Sequence, residues 1–455
     1  MDRNGVVSQS GRRVHVVMVP GFGGFDALGQ LQYYAGLTPA FSRWRSADGR
    51  RRNMVLHYFD TFPTAAVVTR AARLKSYLAK RVARGEFQPG DRVCLVGHST
   101  GGLDVRRLLG DLAASPGEVM SVDGGQGTAC AVMSGEVLEF VHRVVFLSVP
   151  HWGTNIADWI RAHAIARMAA VADLRLSVAA SQLPFAAVLR DWLAKGASYV
   201  ADADLLRAIE DALAEIDPAV GEAGPTRTAA AHEAAAELEL WLRHMVWDFS
   251  ALDDLAPERP MGTEAPAPAV LSAGKDEPSG WAKAAGHSIV TRSYATLGRS
   301  PFPLTGPEIP TWELLRPETY PDCVPTTDAD VVYRACYRAC AGGPFQRTVP
   351  DGAPRFLSPS HQRTIESWRH HAGLERWESD GIVNTASMFW PDERATFLVP
   401  ADHMDIVGHY KPVRAFPGTG RTYHAYDLLG SCSGFNDTLF AQVWNDVFTF
   451  CRQAR

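Results

Sequence analysis

Apolar residues fall into two recurring patterns along the chain. Val14-His15-Val16-Val17-Met18-Val19 is a nearly unbroken β-branched run, the signature of a strand covered on both faces. Met54-Val55-Leu56-His57-Tyr58, Val93-Cys94-Leu95-Val96 and the run from Val141 to Val149 read the same way. Between them, Ala65 to Val82 carries apolar residues at helical spacing until Gly85, Pro89 and Gly90 stop it, and a helix-like pattern with Leu103, Arg106, Arg107 and Leu109 follows the third run. This strand–helix–strand rhythm predicts a parallel sheet flanked by helices. Right-handed crossovers then gather the strand C-termini along one edge.

The rhythm breaks after Pro150-His151-Trp152-Gly153-Thr154. From Asn155 to about Gly286 the chain reads as an Ala-rich helical insertion with three apolar stripes. Ile156, Trp159, Ile160, Ile165 and Met168 form one, Phe185, Val188, Leu189 and Trp192 another, and Leu238, Trp241, Leu242 and Met245 a third. Such stripes suit a plain core or a hydrophobic cap over a pocket equally well. Pro257 to Ser279 is a loop, and Ser288 to Ala295 returns to the sheet. Residues 301–325 and 342–359 are turn-rich around a short helix at 329–341. Ser358-Pro359 caps a helix that Gly373 stops, and Ala395 to Val399 is a last strand. The expected division is 1–154 as the first part of the core, 155–286 as the insertion, and 287–455 as the second part with a Pro-rich excursion at 297–373.

At 455 residues and 46% hydrophobic, the chain can bury a large core. The formal charge of -5 offers no basic field to nucleic acid or an anionic membrane surface. No run approaches the roughly 18 apolar residues of a membrane span, and MDRNGVVSQSGRR lacks the apolar core of a signal peptide. A cytoplasmic location is the expectation, with secretion after processing left open. Seven scattered cysteines do not suggest a disulfide framework. Cys336 and Cys340, one helical turn apart without further metal-type ligands, read as helix-face thiols.

The candidate chemistry begins at Gly97-His98-Ser99-Thr100-Gly101, which joins a predicted strand to a predicted helix. A serine on so tight a turn needs small neighbours, because a Cβ at position 97 or 101 would crowd the adjoining elements. This is the nucleophile elbow of α/β hydrolases. Pro20-Gly21-Phe22-Gly23-Gly24 follows the first strand, so the Phe22 and Thr100 amides are candidates for an oxyanion hole. A serine becomes a nucleophile when a histidine takes its proton, and that histidine needs a carboxylate to fix its tautomer. Asp380 and His403, each in a loop beside a predicted strand, supply them in the chain order serine, acid, histidine.

The words Ser379 to Met388 (SDGIVNTASM), Asp402 to Gly408 (DHMDIVG), Gly97 to Gly102 and Pro150-His151-x-Gly153-Thr154 resemble the bacterial true lipases, above all the staphylococcal and thermoalkaliphilic Bacillus types. Weaker echoes are Trp247 to Ser250, and Gly24-Phe25-Asp26 with Leu28-Gly29 and Tyr33-Tyr34, which is similar to the Pseudomonas type. The resemblance implies an α/β-hydrolase fold with a helical cap serving as a movable lid, acting on acyl esters. It also implies nucleophile Ser99, acid Asp380, base His403, and oxyanion amides at Phe22 and Thr100. An acyltransferase or polyester depolymerase on the same triad, or a catalytically idle binding protein, are the alternatives. Pro20 replaces the histidine that steadies the oxyanion loop in that family. Only Asp248 matches its zinc ligands, so zinc is not expected. The chemistry requires no cofactor. A calcium site remains open, because Asp405 matches one ligand while the second carboxylate position falls at Tyr410.

Overall fold

The computed structural model describes residues 12–24, 27–28, 31–46, 53–125, 128–160, 250–256, 278–301, 328–343, 345, 349, 354–369, 373–410, 427 and 429–453. Most of the 155–286 insertion therefore lies outside the described residues, including two of its three stripes entirely. Among the described residues, no helix is long and apolar enough to cross a membrane.

The four sheet runs read from the sequence are strands β1 (Val14–Val19), β4 (Met54–Tyr58), β5 (Arg92–His98) and β8 (Val141–Leu147). With β9 (Val290–Leu297), β10 (Arg355–Phe356) and β11 (Thr396–Pro400) they form a seven-stranded sheet in the order β10-β11-β9-β8-β5-β1-β4. Every pairing in it is parallel. β1 lies one place from an edge, β4 fills that edge, the chain crosses back over β1 to β5 and adds β8 and β9, and β10 then takes the far edge before β11 fills the place between it and β9. That order, with a serine turn directly after the central β5, is an α/β-hydrolase sheet.

Alternate residues of the central strands feed two cores, which explains why these runs are mostly apolar. Val17, Val19, Val93, Leu95, Val144 and Phe146 face helices α2 (Val67–Ala83), α3 (Thr100–Ala114), α4 (Ser134–Phe140) and α7 (Pro278–Ala285). Val16, Met18, Cys94, Val96, Val145 and Leu147 face α1 (Leu37–Ser46) and the C-terminal α10 (Asp437–Arg452). Between these helices in chain order come α5 (Asn155–Trp159), α6 (Ala251–Asp254), α8 (Asp328–Gly342) and α9 (Pro359–Trp368).

Several boundaries moved for local reasons. β8 stops two residues before the expected Val149 because Ser148 turns into the left-handed region at φ 50°. The Ser358 side chain does cap α9, accepting from the His361 amide. That helix ends at Trp368 rather than near Gly373, and Arg369 turns away to pair with Glu378. Two antiparallel ribbons are additional to the sequence reading: β2 (Ala27–Leu28) with β3 (Leu31–Gln32), and β6 (Val119–Asp123) with β7 (Ala129–Met133).

Candidate active site

Ser99 sits where β5 passes into α3, with φ 53° and ψ -133°. A non-glycine residue held there stores backbone strain of order 1–3 kcal/mol, which persists only where the surroundings enforce it. They do so through close packing. A Cβ on Gly97 would lie 2.6 Å from Gly102 Cα, and one on Gly101 would lie 2.5 Å from the Pro20 carbonyl oxygen. The Ser99 amide donates to Leu147 O at 2.9 Å, tying the turn to the end of β8.

Asp380 and His403 meet directly. His403 Nδ1 lies 2.8 Å from Asp380 Oδ2, and the His403 amide donates to the Asp380 carbonyl at 3.0 Å. Asp380 is fully buried and well supplied with donors: Oδ2 also accepts from the Thr296 hydroxyl at 2.6 Å, and Oδ1 from the Ile382 and Val383 amides at 3.0 and 2.7 Å. The Pro150–Thr154 stretch braces this acid loop. Trp152 N donates to Ser387 Oγ, Ser387 Oγ to Gly153 O, and Thr154 Oγ1 to Ile382 O.

A hydrogen-bonded chain links the His403 backbone to the Gly21 turn through His98. Tyr33 Oη accepts from the Gly21 amide at 2.8 Å and lies 2.6 Å from His98 Nδ1, while His98 Nε2 lies 3.0 Å from His403 O. A carbonyl can only accept, so Nε2 carries the proton and donates, and Nδ1 accepts from Tyr33. Burial first, then the nearby His403 ring, hold the His98 pKa well below its usual range, which keeps it in that neutral tautomer. The His98 and His403 rings are 4.7 Å apart. Ser99 is the residue that follows His98 in the chain.

The Pro20–Gly24 turn packs on Ser99 so closely that a Cβ at Gly21 would lie 2.5 Å from Ser99 Cβ. Its glycine amides are committed, Gly21 to Tyr33 Oη, Gly23 to Pro63 O and Gly24 to Gly21 O. The Phe22 amide takes part in none of these bonds. Thr100 is the first residue of α3, so its amide has no acceptor within the helix. Arg70 braces the Pro20–Gly24 turn. From the buried face of α2 its Nη2 donates to Pro20 O at 2.7 Å and Gly21 O at 3.1 Å, its Nη1 to Pro63 O at 2.9 Å, and its Nε to Asp104 Oδ2 at 2.9 Å. Burial outweighs the pull of Arg70 on the Asp104 carboxyl, which is pushed up to about 7.

A second acidic group lies just past His403. One carboxylate oxygen each of Asp402, Asp405 and Asp427 falls within 4.8 Å of the others. Tyr410, where the sequence reading looked for a second carboxylate, instead donates its hydroxyl to Asp437, and its backbone bridges to Asp427. That bridge brings in Asp427, which the sequence reading missed. Asp402 Oδ1 accepts from the Met404 and Asp405 amides, and Asp405 Oδ2 from the Asp402 amide and Ser433 Oγ. Asp402 Oδ2 is buried without a hydrogen bond of ordinary geometry among the described residues, although Ser431 lies near enough to favour its charged form. Burial and the neighbouring carboxylates push the Asp402 and Asp405 carboxyls up, Asp405 to about 7.

No protein-family model and no curated protein matches the chain. Among solved structures it is similar to lipase 1 of Pelosinus fermentans, at 15% identity and a TM-score of 0.38 over 98% of this chain and 100% of that one. It is also similar to the Staphylococcus hyicus lipase, at 14% and 0.37 over 97% and 96% of the two chains. A metagenomic carboxyl esterase superposes at 12% and 0.33, over 96% of this chain and 77% of the other.

Of the residues singled out in the sequence, the structure places Ser99, Phe22, Thr100, Asp380, His403 and Asp405 around one sheet edge. Arg70, Thr296 and Asp427 are additional. Arg70 carries a signal that could have been read: a charge on the apolar face formed by Val67, Ala71, Leu74 and Leu78. Asp427 carries none.

Proposed function

We propose that the chain is a serine carboxylic-ester hydrolase of lipase or esterase type. What supports this reading is the Asp380–His403 contact at 2.8 Å, together with a serine held on a positive-φ turn directly after His98, whose ring lies 4.7 Å from that of His403. Ser99 Oγ attacks the ester carbonyl, His403 Nε2 takes its proton and passes it to the leaving alkoxide, and Asp380 steadies the imidazolium. The Phe22 and Thr100 amides receive the negative charge that develops on the carbonyl oxygen. Water, activated by the same histidine, then releases the acyl group. The stripes of the 155–286 insertion favour apolar acyl chains, each buried methylene contributing about 0.8 kcal/mol.

The test is turnover of p-nitrophenyl esters from butyrate to octanoate by the wild type and Ser99→Ala. Loss of a covalent nucleophile typically lowers the rate on the order of a millionfold. A folded Ser99→Ala protein with near-normal turnover, free of contaminating esterase, refutes the mechanism, and a flat chain-length profile refutes the apolar cap. A wild type inert on every ester in the series points instead to a binding protein on a hydrolase fold. Transfer of the acyl group to an added alcohol in preference to water points to an acyltransferase.

The carboxylate cluster suits a hard divalent cation such as calcium, since its donors are all oxygens and Asp402 Oδ2 is buried without a hydrogen bond of ordinary geometry among the described residues. Asp402, Asp405 and Asp427 would hold the ion and so brace the loop that carries His403. Calcium should raise the melting temperature of chelator-treated wild type and leave Asp427→Asn unchanged. An equal rise in both proteins removes the assignment.

A further inference from the structure

We propose that Cys94 and Cys451 form a disulfide, a covalent staple between the central strand and the C-terminal helix made by exchange with a small disulfide such as glutathione disulfide. Their Sγ atoms lie 2.7 Å apart across 357 residues of sequence. That is close to the bonded S–S distance of about 2.05 Å, and it is shorter than unbonded sulfurs normally keep. Both side chains are buried.

The two backbones are fixed independently, so the approach does not depend on either side chain alone. Cys94 lies in mid-strand, paired with Val16 of β1 on one side and Arg143 of β8 on the other. Cys451 occupies the last turn of α10, whose inner stripe of Leu439, Phe440, Val443, Trp444, Val447 and Phe448 is packed on the sheet. The end of that helix is clamped: Arg92 Nη1 and Arg143 Nε donate to Gln453 O at 2.8 and 3.2 Å, and Arg92 Nη2 to Arg452 O at 3.3 Å. Cationic donors on the final carbonyls are what a helix C-terminus favours. The same Arg143 guanidinium also favours the thiolate of Cys94, against a burial that pushes that thiol well up. The other described cysteines offer no comparable pair. Cys336 and Cys340 share one helix, and Cys130 and Cys432 sit elsewhere.

The order of events follows from access. Cys451 is reached when the last helical turn frays, whereas Cys94 is covered by the helix itself. The Cys451 thiolate, its proton lost to water, attacks glutathione disulfide, breaks its S–S bond and releases one glutathione thiolate. Cys94 sulfur then attacks Cys451 sulfur in the mixed disulfide, and the departing second glutathione takes up the Cys94 proton. Two protein thiols are oxidised, and one glutathione disulfide is reduced to two glutathiones.

The whole chain, equilibrated with glutathione disulfide or with a reductant, is denatured, alkylated and digested without reduction. The oxidised sample should show five alkylated cysteines of the seven in the chain and a peptide pair joined through Cys94 and Cys451. Reduction should lower the melting temperature by roughly 5–10 °C, a typical disulfide contribution in a chain of this size. Cys451→Ser should abolish that difference. Seven alkylated cysteines in the oxidised sample, or a bond joining any other pair, overturns the proposal. The mapping uses the unaltered chain and decides the matter even if the variant fails to fold.

Discussion

Replacing Arg70 with methionine separates what this side chain does for the fold from what it does for the proposed reaction. The substitution keeps a similar apolar stem but removes the donors to Pro20 O, Gly21 O, Pro63 O and Asp104. Asp104 is fully buried, and its Oδ1 already lacks a partner among the described residues. Breaking such a pair by removing one member costs about 3–5 kcal/mol. At about 2 °C per kcal/mol for a large chain, the melting temperature at pH 8 should fall by about 6–10 °C. Arg70→Met combined with Asp104→Leu removes both charges together. Apolar replacement of a whole buried pair is often neutral, so most of the melting temperature should return. The turn carrying the Phe22 amide remains unbraced in that double variant. Displacing one oxyanion donor costs about a hundred- to a thousandfold in kcat, so ester turnover should stay low while stability recovers. Thermal melts run beside kcat on p-nitrophenyl butyrate measure both. If kcat recovers together with the melting temperature, Arg70 acts through stability alone and the brace is refuted.

His403→Ala should be as damaging as the loss of Ser99, whereas His409→Ala should keep most activity. His409 Nε2 faces the Tyr33 carbonyl at 3.1 Å and helps hold that loop; kcat of the two variants on one ester decides, and the reverse ranking would move the base to His409. The Asp104 carboxyl also makes stability depend on pH. Its folded pKa of about 7 lies above an unfolded value of about 4. The folded state therefore holds the extra proton between those values, and the stability that this group contributes is fully present below about pH 4 and lost as pH rises to about 7. Urea melts across that range should show wild type losing stability relative to Asp104→Asn as pH rises, and parallel curves would contradict the buried ionisation.

How much was legible in the sequence depended on the distance over which each feature is defined. β1, β5 and β8 could be read because strands covered on both faces are dominated by apolar residues, His15, His142 and Arg143 being interruptions, and the elbow could be read because glycines 97 and 101 flank Ser99 within five residues. The β6–β7 ribbon could not be: its five-residue strands bury only one residue each, too short an alternation to stand out. α10 was missed although its stripe is regular and Asn436 caps it by accepting from the Thr438 and Leu439 amides. Arg70 and Tyr33 escaped for a different reason. Each acts on a backbone group elsewhere in the chain, Arg70 on Pro20 across 50 residues; the charge of Arg70 on the apolar face of α2 marks it as buried, but no local pattern names its partner.

Those long-range contacts determine where the protons sit, and the chemistry proposed for the site depends on that placement. The Gly21 amide donates to Tyr33, Tyr33 to His98, and His98 to the His403 carbonyl, so each bond in the series has one direction. A protonated His98 would lose its acceptor role toward Tyr33 and place a charge in a buried site. The His403 backbone is thus held by a neutral ring. On the side-chain end a carboxylate at Asp380 Oδ2 accepts from a proton on His403 Nδ1, and the Thr296 hydroxyl and the Ile382 and Val383 amides hold that carboxyl in place. A neutral imidazole with its proton on Nδ1 has its lone pair on Nε2, the atom that must accept a proton from Ser99. The tautomer that a serine mechanism needs is therefore set by neighbours that never touch the substrate.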